Sequence, residues 1–215
     1  MIGIIDYGMG NLRSVQKALQ RLGAEASVLR APDEVSSVNK LILPGVGAFA
    51  DGMANLRAGG WIEPIHQHVQ SGAPFLGICL GMQLLFESSQ EDAVSADQPV
   101  EGLGLLPGRV VGFARDRGGR SLKVPHMGWN QLTITREDPL LAGVPNGSHV
   151  YFVHGYYAEP DETRFAVTSA VCDYGGPFAA AAWHHNIHAM QFHPEKSQRI
   201  GLTLLGNFID LKTDQ

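Results

Sequence analysis

Along the first eighty or so residues, short unbroken apolar runs alternate with longer stretches whose apolar positions recur at helical spacing. Residues 2–6, 26–30, 40–44 and 74–78 read as strands buried on both faces. Between the first two, Val15, Leu19 and Leu22 fall at i, i+4 and i+7, while Arg13, Gln16, Lys17 and Gln20 take the other side. This predicts a helix over 12–22 that packs on the strands. A second helical stretch covers 48–69 with a break at Gly59-Gly60, and a further helix is expected to start over 82–86. Strand and helix in regular alternation predict a parallel sheet covered on both faces.

The second half has a different rhythm. Residues 104–114, 128–135, 149–157, 164–172 and 178–192 are extended runs divided by Gly, Pro and Asp, which predict antiparallel strands and hairpins. A last helix over 198–211 carries Ile200, Leu204 and Phe208 on one face. The polar, acidic stretch 88–100 reads as a solvated surface loop, and 115–120, centred on Gly118-Gly119, as a hairpin tip. No repeat, low-complexity tract or linker interrupts the chain. One α/β domain over residues 1–215 is the reading: a parallel-rich central sheet flanked by helices, with antiparallel strands in the second half.

Composition narrows the function classes. With 44% hydrophobic and 17% charged residues over 215 positions, the chain can bury a core and is not globally disordered. Sixteen Lys+Arg against 21 Asp+Glu leave a formal charge of −5, so no basic field exists to hold a nucleic acid. No apolar run reaches the roughly 20 residues needed to span a bilayer, and no membrane association is expected. The opening residues carry no basic n-region and read directly as a strand, from which a cytoplasmic location is expected. Two cysteines, Cys79 and Cys172, are too few for a disulfide framework.

Three local patterns bear on chemistry. Gly77-Ile78-Cys79-Leu80-Gly81 follows an apolar strand and precedes a helix, the form of a nucleophile elbow. Such a turn needs small residues two places before and after the nucleophile, where any side chain would strike neighbouring backbone. The helix start would then favour a Cys79 thiolate, with the Leu80 N–H facing the same space. His193-Pro194-Glu195 offers a base with an orienting acid two residues on, on one side of an extended backbone. Pro44-Gly45-Val46-Gly47, at the end of another parallel strand, is a turn able to aim N–H groups at a developing oxyanion. Parallel strands bring their carboxyl ends together, so Gly45 and Cys79 share one edge of the sheet. By contrast, Gly8-Met9-Gly10-Asn11-Leu12-Arg13 fails as a dinucleotide fingerprint, because Arg13 stands where the third small residue should be and no ribose-binding acid ends the second strand. His184, His185 and His188 lack companion Cys or carboxylate spacing, so no metal is assigned to them; Cys172 reads as core.

On these motifs the chain resembles the class I glutamine amidotransferases. Within that group it looks like the glutaminase subunits of imidazole glycerol phosphate synthases. The narrower likeness rests on Asp6-Tyr7-Gly8-Met9-Gly10-Asn11-Leu12, Cys79-Leu80-Gly81-Met82-Gln83-Leu84-Leu85, Pro125-His126-Met127-Gly128-Trp129-Asn130, Tyr151-Phe152-Val153-His154 and Gln191-Phe192-His193-Pro194-Glu195-Lys196-Ser197. The resemblance implies a flavodoxin-like fold and a Cys79, His193, Glu195 triad. It also implies an oxyanion site from Gly45, Val46, Gly47 and Leu80, and glutamine binding by Gln83 with main-chain help from His154, Gly155 and Tyr156. The family often has Ser where Gly155 stands.

The implied reaction is hydrolysis of glutamine to glutamate and ammonia through a cysteine thioester, without metal or organic cofactor. The implied partner is a (β/α)8-barrel cyclase subunit, forming a heterodimer in which ammonia passes directly between subunits in a step of histidine biosynthesis. Asn11, Arg13, Met127, Trp129 and Lys196 are expected at that interface. Two alternatives share parts of the pattern: a glutaminase serving another synthase, and a non-catalytic interaction subunit.

Overall fold

The computed structural model describes residues 1–91, 93, 95, 98–117 and 120–212. Strand β1 (Ile2–Ile5), helix α1 (Leu12–Arg21), β2 (Ala26–Leu29), β3 (Lys40–Gly45), α2 (Phe49–Ala58), α3 (Ile62–Gln70) and β4 (Phe75–Cys79) follow the predicted rhythm. The break between α2 and α3 falls at Gly59-Gly60, where Gly60 takes φ +71. All four strands pair in parallel. Alternate side chains go to opposite faces: Leu41, Leu43 and Phe75 join Phe49, Met53 and Ile65 of α2 and α3, whereas Ile42, Leu76 and Ile78 join Val15 and Leu19 of α1. Both faces are therefore dry, and truncating one such fully buried leucine costs about 2–5 kcal/mol.

After β4 the chain departs from expectation. The helix expected over 82–86 is a single turn, α4 (Leu80–Gln83), and Phe86–Ser89 is a strand, β5. Leu84, Leu85 and Phe86 are fully buried, and the Leu84, Leu85 and Phe86 carbonyls accept from the 103–106 segment. Consecutive buried apolar residues with cross-chain hydrogen bonds suit a strand covered on both sides better than a helix with one wet face. Part of the stretch expected to be a surface loop is also structured: Ser89 is buried within β5, and β6 (Val100–Glu101) pairs with it.

The remaining elements are β7 (Leu106–Gly112), β8 (Asp116–Arg117), β9 (Arg120–Ser121), β10 (His126–Gln131), β11 (Thr133–Ile134), β12 (His149–His154), β13 (Tyr156–Pro160), β14 (Thr168–Asp173), β15 (Pro177–His184), β16 (Ile187–Met190) and α5 (Gln198–Asp210). β8 and β9 pair as the expected hairpin; its central Gly118-Gly119 lies outside the described residues. The main sheet runs β11-β14-β15-β16-β4-β3-β1-β2, beside smaller sheets β13-β7-β5-β6 and β10-β12. Antiparallel pairing dominates the second half, with two exceptions: β5 pairs parallel to β7, and β16 parallel to β4. The second exception matters most. The run expected over 178–192 folds back at His185-Asn186, and β16 then lies against β4 with Met190 opposite Ile78. The segment that leaves β16 therefore emerges beside Cys79. Among the described residues no helix is long and apolar enough to cross a membrane.

Candidate active site

Cys79 ends β4 and caps α4 with φ +54 and ψ −111. A left-handed φ at a residue with a Cβ is strained and persists only where the surroundings enforce it. The two flanking glycines are what allow it. A Cβ at Gly81 would lie 1.8 Å from the Leu43 carbonyl oxygen, and one at Gly77 would lie 2.8 Å from the Gly81 oxygen. The elbow is thus wedged against β3. Because α4 is one turn long, its macrodipole is small, and support for a thiolate falls to nearby donors rather than to a long helix.

His193 faces this elbow from the turn after β16. Its backbone N–H donates to the Tyr151 carbonyl at 2.9 Å, and Ser197 Oγ donates to the His193 carbonyl at 2.6 Å. Its Nδ1 lies 2.9 Å from Glu195 Oε1, with both side chains almost wholly buried. Burial pulls the imidazole pKa down. Hydrogen bonds and charge from Cys79 and Glu195 outweigh that and push it up to about 9. With Nδ1 held by the carboxylate, Nε2 is the nitrogen left to face Cys79 and do chemistry.

A network missed by sequence reasoning runs through Gln83 and Gln191. Gln83 Nε2 donates to the Tyr156 carbonyl at 2.8 Å and to Gln191 Oε1 at 3.0 Å. A carbonyl can only accept, so the first bond fixes the orientation of the Gln83 amide. That fixes Gln191 in turn, whose Nε2 donates to Cys79 Sγ at 3.8 Å. The same Tyr156 carbonyl accepts from His154 Nδ1 at 2.7 Å, which leaves His154 Nε2 to accept from His126 Nδ1 at 3.1 Å. Burial keeps both rings neutral, lowering His154 to about 3 and His126 to about 4. Gln191 stood in plain sight beside the histidine; only the parallel placement of β16 on β4 reveals that it reaches the sulfur.

These groups surround a cavity of about 190 Å³ lined by Val46, Gly47, Cys79, Leu80, Gln83, Glu91, Val153, His154, Gly155 and Tyr156. Gly45 is the direct cross-strand neighbour of Cys79, and Gly47 has φ +112. The expected oxyanion turn therefore lies at the thiol. A Cβ at Gly155 would fit without a clash, in ordinary contact with Val124 at 3.6 Å. Glu91 falls in the stretch expected to be a solvated loop. Instead, its Oε2 accepts from the Phe49 N–H at 2.8 Å, which places a carboxylate at the cavity wall.

A buried thiol on a strained elbow, a carboxylate-held imidazole beside it and a small cavity at the sulfur are the parts of a cysteine acyl-transfer site. The class I glutamine amidotransferase family model matches residues 3–211. The chain belongs to the class I glutamine amidotransferases. Within them it belongs with the imidazole glycerol phosphate synthase subunits HisH. It is 54% identical to that subunit of Syntrophotalea carbinolica, over 98% of this chain and 100% of the relative, and 53% identical to that of Geobacter sulfurreducens, over 98% and 99%. The solved structure of PurLQS from Thermotoga maritima shares the fold, with a TM-score of 0.75 at 17% identity over 97% of each chain.

In this amidotransferase, of the five residues expected at a partner surface, Asn11 and Arg13 follow β1 and Lys196 follows β16, while Met127 and Trp129 lie on β10 of the smaller β10-β12 sheet. Met127 and Trp129 alternate outward on β10 at 66% and 47% exposure. Trp129 meets Tyr151 edge-on at 6.0 Å, and Lys196 Nζ lies 5.7 Å from the same ring. Arg13 is exposed and Asn11 partly so at the start of α1, which packs against the turn bearing Lys196. Cys172 is a different kind of thiol: burial, with Asp173 beside it, pushes it up to about 12. A cavity of about 580 Å³ near Trp183 offers little chemistry, since its Arg136 is bonded to the backbone carbonyls of Ala166, Val167 and Trp183.

Proposed function

We propose that the chain hydrolyses glutamine as the glutaminase subunit of an imidazole glycerol phosphate synthase, with Cys79, His193 and Glu195 as its catalytic residues. The observation that carries the reading is the strained Cys79 elbow facing a His193 ring held by Glu195. The raised basicity of His193 favours the Cys79 proton residing on the imidazole. The sulfur then attacks the carboxamide carbon, and the oxygen becomes an oxyanion facing the Gly45-Val46-Gly47 turn and the Leu80 N–H. His193 returns the proton to nitrogen as the C–N bond breaks, ammonia leaves, and a glutamyl thioester remains. Water attacks that thioester while His193 takes its proton. The C–S bond breaks, glutamate departs and the thiol is restored.

Substrate recognition follows from the network. Both Gln83 amide hydrogens are engaged, so its oxygen is the group left to accept from the substrate ammonium. Main-chain groups of His154, Gly155 and Tyr156 line the same cavity. Neither a metal nor an organic cofactor enters any step.

The ammonia goes to a cyclase subunit with a (β/α)8 barrel, in a heterodimer docked over Asn11, Arg13, Met127, Trp129 and Lys196. The relatives' printed name, a subunit of a synthase, and the exposed Trp129 packed on Tyr151, whose carbonyl holds the His193 N–H, support this. Two cysteines, both unpaired and buried, fit a reducing cytoplasm. The test is glutamate release by the chain alone and with the cyclase subunit and its nucleotide ligand, with Cys79→Ala as control. Strong stimulation lost in the variant is expected; high activity indifferent to the cyclase would remove the partner assignment.

A further inference from the structure

Tyr7 follows β1 and is 5% exposed, yet its hydroxyl has no hydrogen-bond partner among the described residues. A phenol oxygen buried without a partner is destabilising, and a native structure that retains one needs a reason. Its position supplies one. A Cβ built on Gly45 would lie 2.4 Å from Tyr7 Oη and 2.8 Å from Leu80 Cβ. The hydroxyl therefore sits in the wedge between the Gly45-Val46-Gly47 turn and the elbow. Gly45 is the cross-strand neighbour of Cys79, and Leu80 is the next residue in the chain. This contact also explains why residue 45 has no side chain.

We infer that Tyr7 is a further catalytic residue of the glutaminase site, whose unpartnered O–H serves as a donor to the negative charge that forms at the Cys79 elbow. Burial, and then the charge of Cys79, hold the phenol well above its ordinary range, so the donor proton is present at every working pH. No resting partner claims the hydroxyl, so its proton is available to turn toward charge as it forms. Such a group favours the charged state over the resting one. The inference rests on the reading of Cys79 as nucleophile.

Tyr7→Phe removes one oxygen and leaves the ring. Three readouts apply: thermal midpoint, the pH profile of iodoacetamide modification at Cys79, and glutamine kinetics in the assembled synthase. The expected result is a midpoint unchanged or raised, since a buried unsatisfied group has been removed. Alkylation should become half-maximal at a higher pH, and kcat should fall by about tenfold with KM little changed. A lowered midpoint would show that the hydroxyl has a structural partner and overturn the inference, as would an unchanged alkylation profile with unchanged kcat. If the unsubstituted chain fails to release glutamate and Cys79 resists alkylation, the reading of Cys79 fails instead, which the Tyr7→Phe comparison alone cannot produce.

Discussion

Gln191 donates to Cys79 Sγ at 3.8 Å while its oxygen accepts from Gln83. One buried carboxamide thus links the group that would read the substrate to the group that would attack it. Gln191→Leu keeps the volume and loses both bonds. Because a hydrogen bond to a charged group contributes about 1.5–3 kcal/mol, kcat/KM for glutamine should fall by about tenfold or more, with KM rising as Gln83 loses its anchor. Steady-state kinetics check this, and unchanged KM would separate Gln191 from substrate binding.

The elbow glycines should be intolerant where a helix glycine is not. Gly81→Ala would drive a Cβ to 1.8 Å from the Leu43 carbonyl, a backbone atom that cannot step aside, so a loss of several kcal/mol is expected. Gly206 in α5 has open space around it, and Gly206→Ala should stabilise by about 0.5–1 kcal/mol. Urea denaturation of the two variants tests the contrast.

Stability should depend on pH in opposite directions on either side of about pH 6.5. His154 and His126 are lowered in the folded state to about 3 and about 4, so below pH 6.5 the unfolded chain binds more protons and stability falls as pH falls toward those values. His193 is raised to about 9. Its contribution is complete below pH 6.5 and is lost as pH rises through 9. Midpoints measured from pH 4 to 9 should show both limbs, with Glu195→Gln flattening the alkaline one and His126→Gln the acid one.

Trp129 is half exposed and packs only at its edge on Tyr151. Trp129→Ala should lower the chain's own midpoint only slightly, because about half of the ring is already in solvent. At an interface the same ring is an anchor, where truncation costs about 2 kcal/mol or more, so the dissociation constant for the cyclase subunit should rise by at least about thirtyfold. Equal affinity in a titration would move the docking face elsewhere.

The parallel half of the fold was legible because each of β1 to β4 is an apolar run and the helices between them keep strict spacing. The elbow was legible for a local reason: Gly77 and Gly81 have no other use at that distance from a cysteine. What sequence could not give was contact between remote segments. The 82–86 stretch has the apolar content of a buried helix or a buried strand, and periodicity does not separate the two. Glu91 reads as one more acid in a polar loop until the loop folds over Phe49. Gln191 and His193, two apart, share one side of extended backbone, but only the parallel placement of β16 on β4 reveals that this side meets the sulfur.

The most direct test of the account is the mass of the chain quenched during turnover with glutamine, followed by peptide mapping. The account predicts an adduct equal to glutamine less ammonia, confined to the peptide bearing Cys79 and absent from Cys79→Ala, which should release no glutamate above background. Glutamate release by Cys79→Ala at an undiminished rate, with no adduct on the parent chain, would contradict it.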